Sequence, residues 1–221
     1  MVDCQTNYID IADVELALVN WFIQNPSGVL LMKKITFRLL VIALVLLLPT
    51  HLVGAEMGED GLHKQEWFSL TFKDVAEDIQ EASDEGKRLA LIFEQRGCIY
   101  CKAFHEVVLA DPEINQFVQE NFNMVQYNLF GDEEVTDLDG DVLTEKTAAA
   151  KWGIIYSPFI LFMPETAPDD GSDVVKAAVA SIYGGFEKDM FMHKFEWVMQ
   201  KGYDGDEKFQ SYHARRLAET H

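Results

Sequence analysis

The stretch Leu89-Ala90-Leu91-Ile92-Phe93-Glu94-Gln95-Arg96-Gly97-Cys98-Ile99-Tyr100-Cys101-Lys102 decides how the chain folds. Its first five residues are a continuous apolar run of strand length, as expected for a strand covered on both faces. Two cysteines follow within a few positions of its end. From Cys98 to about Ala110 the residues suit a helix, with Phe104, Val107 and Val108 available to face a core.

Working outward, apolar residues at Val75, Ala76, Ile79 and Ala82 recur with a helical period after Phe72, and Asp84-Glu85-Gly86-Lys87 ends that helix. On the other side, Asp111 is a good N-cap and Pro112 fits the first helical position, so a helix through Ile114, Phe117 and Val118 follows. Met124 to Leu129 reads as the next strand. The polar segment from Gly131 to Thr144, centred on Asp139-Gly140, carries a hairpin signal. Thr144 to Trp152 reads as a helix, Phe159 to Phe162 as a buried strand and Val175 to Ile182 as another. Beyond Gly184-Gly185, helices are expected through Phe191, Phe195, Val198 and Met199 and from Lys208 to Glu219. This alternation indicates an α/β layer structure around a central sheet.

The chain has 221 residues, 48% of them hydrophobic, which suffices for one core of ordinary size with extensions. A formal net charge of -19 repels phosphate backbones, so nucleic acid is not an expected partner. Lys33, Lys34 and Arg38 precede an apolar run from Leu39 to Leu48, then Pro49 and the small-residue exit Val53-Gly54-Ala55. That is the layout of a secretory signal peptide over residues 32–55, with cleavage after Ala55 and a periplasmic product. An uncleaved anchor that includes Leu52 and Val53 is the alternative. Residues 1–31 read as a leader or as sequence upstream of a true start at Met32, and residues 56–221 as the exported domain. Cys4 would then play no part in it.

In that exported product only Cys98 and Cys101 remain, in a compartment where disulfides persist. A two-residue spacing closes too small a loop to add much stability, so the pair is better explained by chemistry. At a strand-to-helix junction the first sulfur sits at a helix N-terminus, where unpaired amides and the helix dipole favour a thiolate. Cys98 is the expected nucleophile, and Cys101, one turn on and more buried, the residue that resolves the mixed disulfide. The redox-active pair is the whole expected cofactor. Two metal readings fall short. Cys98, Cys101 and His105 lack a fourth zinc ligand, and His105 reads as an exposed helix residue. The acidic run near Asp139 lacks the ligand order and closing Glu of a calcium loop.

The segments Phe93 to Lys102, Asp111-Pro112-Glu113, and Trp152-Gly153-Ile154 leading to Ser157-Pro158-Phe159 together resemble the thioredoxins, and among them the SoxW-like periplasmic members. The resemblance spans roughly residues 66 to 215. It implies a thioredoxin fold, a central mixed sheet flanked by helices, here with an inserted hairpin near Asp139 and a C-terminal helical extension from about Gly202. It also implies a cis-proline at Pro158 facing the cysteines, with Ser157 before it; Tyr100, Ser157 and Pro158 are the expected substrate-binding residues. A proline opening a buried strand fits that role, since a neighbouring backbone stays free to pair with an extended substrate.

Two positions depart from the thioredoxin pattern. Gly97 stands where a tryptophan is usual, and Ile92 where a buried aspartate is usual, six residues before the first cysteine. Glu94, at the strand end, is the candidate proton acceptor for Cys101, since a carboxyl held partly out of water is a better base. A solvated strand-end carboxylate is the alternative. The resemblance implies a monomeric protein-disulfide reductase acting on disulfide-containing exported proteins, with electrons from a membrane thiol shuttle. Ile99-Tyr100 supplies no cation to stabilise Cys98 further, which argues for reduction or a moderate potential. An oxidase or isomerase, or a peptide-binding module with little turnover, are the rival readings.

Overall fold

Residues 56–220 are described by the computed structural model. The leader, the signal peptide and its cut, and Cys4 lie outside the described residues. Two short strands, β1 (Glu56–Met57) and β2 (His63–Lys64), pair antiparallel at the start. Then follow α1 (Val75–Asp84), β3 (Arg88–Glu94), α2 (Ile99–Ala103), α3 (Pro112–Asn121) and β4 (Phe122–Asn128). The hairpin β5 (Glu134–Thr136) and β6 (Val142–Thr144) leads into α4 (Glu145–Lys151). The chain ends with β7 (Phe159–Phe162), α5 (Val174–Ala177), β8 (Ala180–Tyr183), α6 (Lys188–Met199) and α7 (Phe209–Thr220).

The central sheet has four strands in the order β4-β3-β7-β8. β3 runs parallel to β4 and antiparallel to β7, and β7 antiparallel to β8, so the sheet is mixed. Every residue of β3 is buried. Side chains alternate across a strand, and the two halves of the core follow that alternation. Ala90 and Ile92 pack with Phe104, Val108, Ile114, Phe122, Phe162, Phe191 and Phe195 on one face. Leu89, Leu91 and Phe93 pack with Val75, Ile79, Val125, Tyr127 and Trp152 on the other.

Local chemistry sets the helix starts. Asp74 caps α1 by accepting from the amides of Ala76 and Glu77, so the helix begins at Val75 and leaves Phe72 exposed before it. Asp111 and Pro112 open α3 as expected, with Asp111 accepting from Glu113 and Ile114. The helix that begins at Ile99 widens into a π-helical turn at Phe104–Val108, where the Leu109 amide reaches back five residues to the Phe104 carbonyl. Phe104 and Val108 face the core, while Val107 is exposed rather than buried.

The strand expected over Val175 to Ile182 is confined to β8. Its first half is the helical turn α5, because Asp173 caps it through the Lys176 amide and Asp137 accepts from the Val174 amide. The hairpin forms with Val135 opposite Leu143 and its turn between Asp137 and Asp141. The acids of that turn converge on Lys151, whose Nζ lies 2.8, 2.5 and 2.8 Å from Asp137, Asp139 and Asp141. Among the described residues no helix is long and apolar enough to cross a membrane.

One carboxyl on the inner face of α1 makes stability depend on pH. Burial is the main force that raises the Asp78 pKa from 3.8 to about 7, the Thr71 hydroxyl opposing it and Glu81, Asp74 and Glu77 adding to it. A carboxyl raised on folding binds its proton more tightly in the folded state. Folding is therefore weakened progressively as pH rises from about 4 to about 7, and the whole cost is felt above that window. Asp78→Asn should raise the melting temperature clearly at pH 8 and little at pH 4, as followed by circular dichroism.

Candidate redox site

The site begins where β3 stops. Cys98 is the N-cap of α2 in extended conformation, and its Sγ accepts the Cys101 amide at 3.0 Å. Cys98 and Cys101 are joined in a disulfide, with Cα atoms 5.2 Å apart. Cys98 is 9% exposed and Cys101 1%, so only the first sulfur meets the surface. Beside it opens a hollow of about 400 Å³, lined by Met57, His63, Gly97, Ile99, Lys102 and Glu106.

From the opposite side, the Ser157 carbonyl oxygen lies 3.6 Å from Cys98 Sγ, and the Ser157–Pro158 peptide is cis. Pro158 opens β7, and its carbonyl accepts the Gly184 amide. Around this point stand exposed apolar side chains: Ile99, Tyr100, Ile155, Tyr156 and Tyr183. Tyr183 stacks on both Tyr156 and Phe159. Tyr100 lies over Gly185, where even a methyl group would approach its ring to 3.3 Å.

Glu94 is 0% exposed, so it is not a solvated strand end. Strand parity puts it on the face of Ala90 and Ile92, the face that α2 covers. The usual aspartate position is Ile92. Glu94 stands one strand repeat further along the same face, which places a carboxyl under the helix by a different route. It takes a hydrogen bond from Gln126 Nε2, and both its oxygens lie within hydrogen-bond reach of His105 Nε2, at 3.2 and 3.1 Å.

The expectation for His105 was wrong: the residue is 1% exposed. One turn beyond Cys101, it is packed among the rings of His63, Phe68 and Phe104. Gln65 Nε2 donates to its Nδ1 at 3.2 Å. Its partners lie 11 and 40 residues away in sequence, so no local pattern reveals them. A polar residue four positions after the second cysteine, on a helix with one buried face, was the available signal.

A family profile described as a thioredoxin-like domain matches residues 75–171, the segment that holds the cysteines, Glu94, His105 and Pro158. The fold is a thioredoxin fold. No curated protein sequence matches the chain. Among solved structures, a thioredoxin-fold protein from Helicobacter pylori is 18% identical, covering 68% of this chain and 88% of that one with a TM-score of 0.47. A thioredoxin from Thermus thermophilus is 19% identical, covering 61% and 91%, TM-score 0.45. The DsbH oxidoreductase is 14% identical, covering 65% and 95%, TM-score 0.40. Among the described residues no group of three or more His, Cys, Asp or Glu side chains is placed to hold a metal ion.

Gly97 explains its own departure from the thioredoxin pattern. Its φ of +74° lies in the left-handed region, where a side chain is strained, and an added Cβ would touch nothing within 4 Å. The cost of a side chain here is therefore backbone strain alone. Gly97→Ala should lower stability by about 1 kcal/mol, measured by urea unfolding of the oxidised protein.

Proposed function

We propose that this chain is an exported thiol:disulfide oxidoreductase that reduces disulfides in other exported proteins. The observation that carries the reading is the Cys98 sulfur: it caps a helix, accepts an amide hydrogen bond, and is the less buried half of the disulfide, bordering the surface hollow beside it. Amides and the helix dipole around such a sulfur stabilise its thiolate and so make it a good nucleophile and leaving group.

In the reduced protein the Cys98 thiolate attacks one sulfur of a substrate disulfide. A new sulfur–sulfur bond forms, and the other substrate sulfur leaves as a thiolate. Cys101 then loses its proton, with Glu94 as the proposed acceptor, and attacks Cys98 Sγ. The bond between Cys98 and the substrate breaks. The substrate leaves reduced by two electrons and takes up two protons, and the protein is left with its Cys98–Cys101 disulfide. A dithiol donor on the membrane side restores the reduced form. The signal-peptide pattern at residues 32–55 supports export to the periplasm.

The apolar rim of Ile99, Tyr100, Ile155, Tyr156 and Tyr183 favours extended polypeptide over a small charged disulfide. The Ser157 carbonyl beside Cys98 Sγ and the cis bond to Pro158 support these two residues as the place where a substrate backbone would align.

With a disulfide-bonded protein such as insulin and a chemical reductant, the wild type should turn over and Cys98→Ser should be inactive. Cys101→Ser should accumulate a mixed disulfide through Cys98, visible by mass spectrometry, and its trapped partners from a periplasmic extract should carry cystines. Turnover that survives Cys98→Ser would overturn the reading; binding without turnover in the wild type would favour a peptide-binding module. Tyr156→Ser should raise KM for the protein substrate while leaving alkylation of Cys98 by iodoacetamide unchanged.

A further inference from the structure

Beneath the helix that begins at Ile99 the sheet face carries one connected polar chain: Lys64, Gln126, Glu94, His105 and Gln65. Lys64 Nζ donates to Gln126 Oε1 at 2.7 Å, and Gln126 Nε2 donates to Glu94 and to the His63 carbonyl. An amide nitrogen can only donate, so the contact from Gln65 Nε2 makes His105 Nδ1 an acceptor. The imidazole is then neutral, with its proton on Nε2, and that proton is aimed at the two oxygens of Glu94. Glu94 is thus fixed in place by His105 and Gln126, and His105 is fixed in one tautomer by Gln65.

The helix adds a second constraint. Residues four apart on a helix share a face, so Cys101 and His105 both look toward the sheet, separated by about one turn. Both are 1% exposed. Deprotonating a buried Cys101 requires a base already present on that face, because water is excluded from it. The charged or titratable groups around the pair are His63, with its ring 5.8 Å from that of His105, Lys64 acting through Gln126, and Cys101 itself. Lys102 and Glu106 pair with each other on the exposed side of the helix. The other neighbours of the His105 ring, Phe68 and Phe104, are apolar.

We propose that His105 is a positioning residue for the resolving step: through its Nε2 proton it holds the Glu94 carboxylate in place to take the proton of the Cys101 thiol. The proposal rests on the thiol–disulfide reading above. When the mixed disulfide is resolved, the Cys101 sulfur–hydrogen bond breaks and its proton passes to Glu94, which His105 holds in place. The electron pair left on sulfur forms the bond to Cys98 Sγ, the substrate sulfur leaves with the pair from the broken bond, and the stored proton returns through solvent to that thiolate.

The test uses the full-length protein with His105→Gln, Glu94→Gln and the double variant, in single-turnover reactions with insulin across pH. Formation of the mixed disulfide by Cys98 should stay close to wild type. Its resolution should slow at least about tenfold at pH 7 in each single variant, with the rate-against-pH curve displaced to higher pH. The double variant should be no slower than the slower single one, as for residues acting as a unit.

A His105→Gln curve that overlays the wild type overturns the proposal. If only Glu94→Gln shifts, Glu94 acts without His105 and the proposal again fails, while the reductase reading stands. A wild type that forms no mixed disulfide ends both. Should His105→Gln fail to fold, the imidazole nitrogens of wild-type His105 are followed by NMR. The disulfide form should show the Nε2-protonated tautomer. In the dithiol form the ring should respond to pH together with Cys101, and a ring indifferent to Cys101 ionisation overturns the proposal.

Discussion

Strand β3 is hydrogen-bonded along both edges, in parallel to β4 and antiparallel to β7, so its backbone has little freedom where it reaches Glu94. The Glu94 carbonyl is itself taken by the Leu129 amide. Only Gln95, Arg96 and Gly97 then separate the strand from Cys98, and the positive φ of Gly97 turns the chain into the helix. The position of the Cys98 sulfur is therefore inherited from the most constrained element of the sheet. Pro158 comes from β7, the antiparallel neighbour of that same strand, with Phe93 opposite Phe159. Both sides of the site are fixed by one pair of strands, which is why the disulfide can sit at a defined distance from a backbone carbonyl without a deep cleft to hold it.

What the sequence disclosed and what it hid divide by the range of the forces involved. The apolar run of β3 and the Asp111-Pro112 helix start are set by residues within a few positions, and both appear as read. The placement of the cysteine pair belongs with them: Cys98 caps the helix and Cys101 follows on its first turn. His105 and α5 were misread because their decisive partners are remote. Gln65 and Glu94 hold His105 from other elements, and Asp137 holds the Val174 amide from 37 residues away. The β-branched pair Val174-Val175 is equally compatible with a strand until that side chain arrives. Glu94 lies between the two cases. Its strand parity was readable, but a run buried on both faces does not say what covers either face.

The acidic hairpin turn shows the same distinction in electrostatic form. Asp137, Asp139 and Asp141 have the spacing of a cation loop, and the chain supplies the cation itself, with Lys151 from α4 bonded to all three. Asp137 is the buried member and does more: it accepts the Trp152 indole N–H at 2.8 Å and the Val174 amide at 3.0 Å. A single carboxylate thus ties the hairpin, the end of α4 and the start of α5 together. Its charge is tolerated in the interior because donors surround it.

The polar chain under α2 cannot be explained by stability alone. Replacing a buried polar network by apolar side chains of similar volume is often neutral or stabilising, whereas leaving one member unpaired is costly. Glu94 and His105 sit on a sheet face otherwise filled by Phe104, Ile92 and their neighbours, where two more apolar residues would pack. Instead Gln65, Gln126 and the His63 carbonyl are recruited to satisfy them, and the short β1–β2 hairpin is held down by the same contacts. The segment before α1, which also gives Phe68 to the apolar core, thus helps to sustain one buried carboxyl and one buried imidazole beside the disulfide helix. That placement, two buried polar groups next to the disulfide, is what the proposed proton transfer requires and what packing alone does not call for.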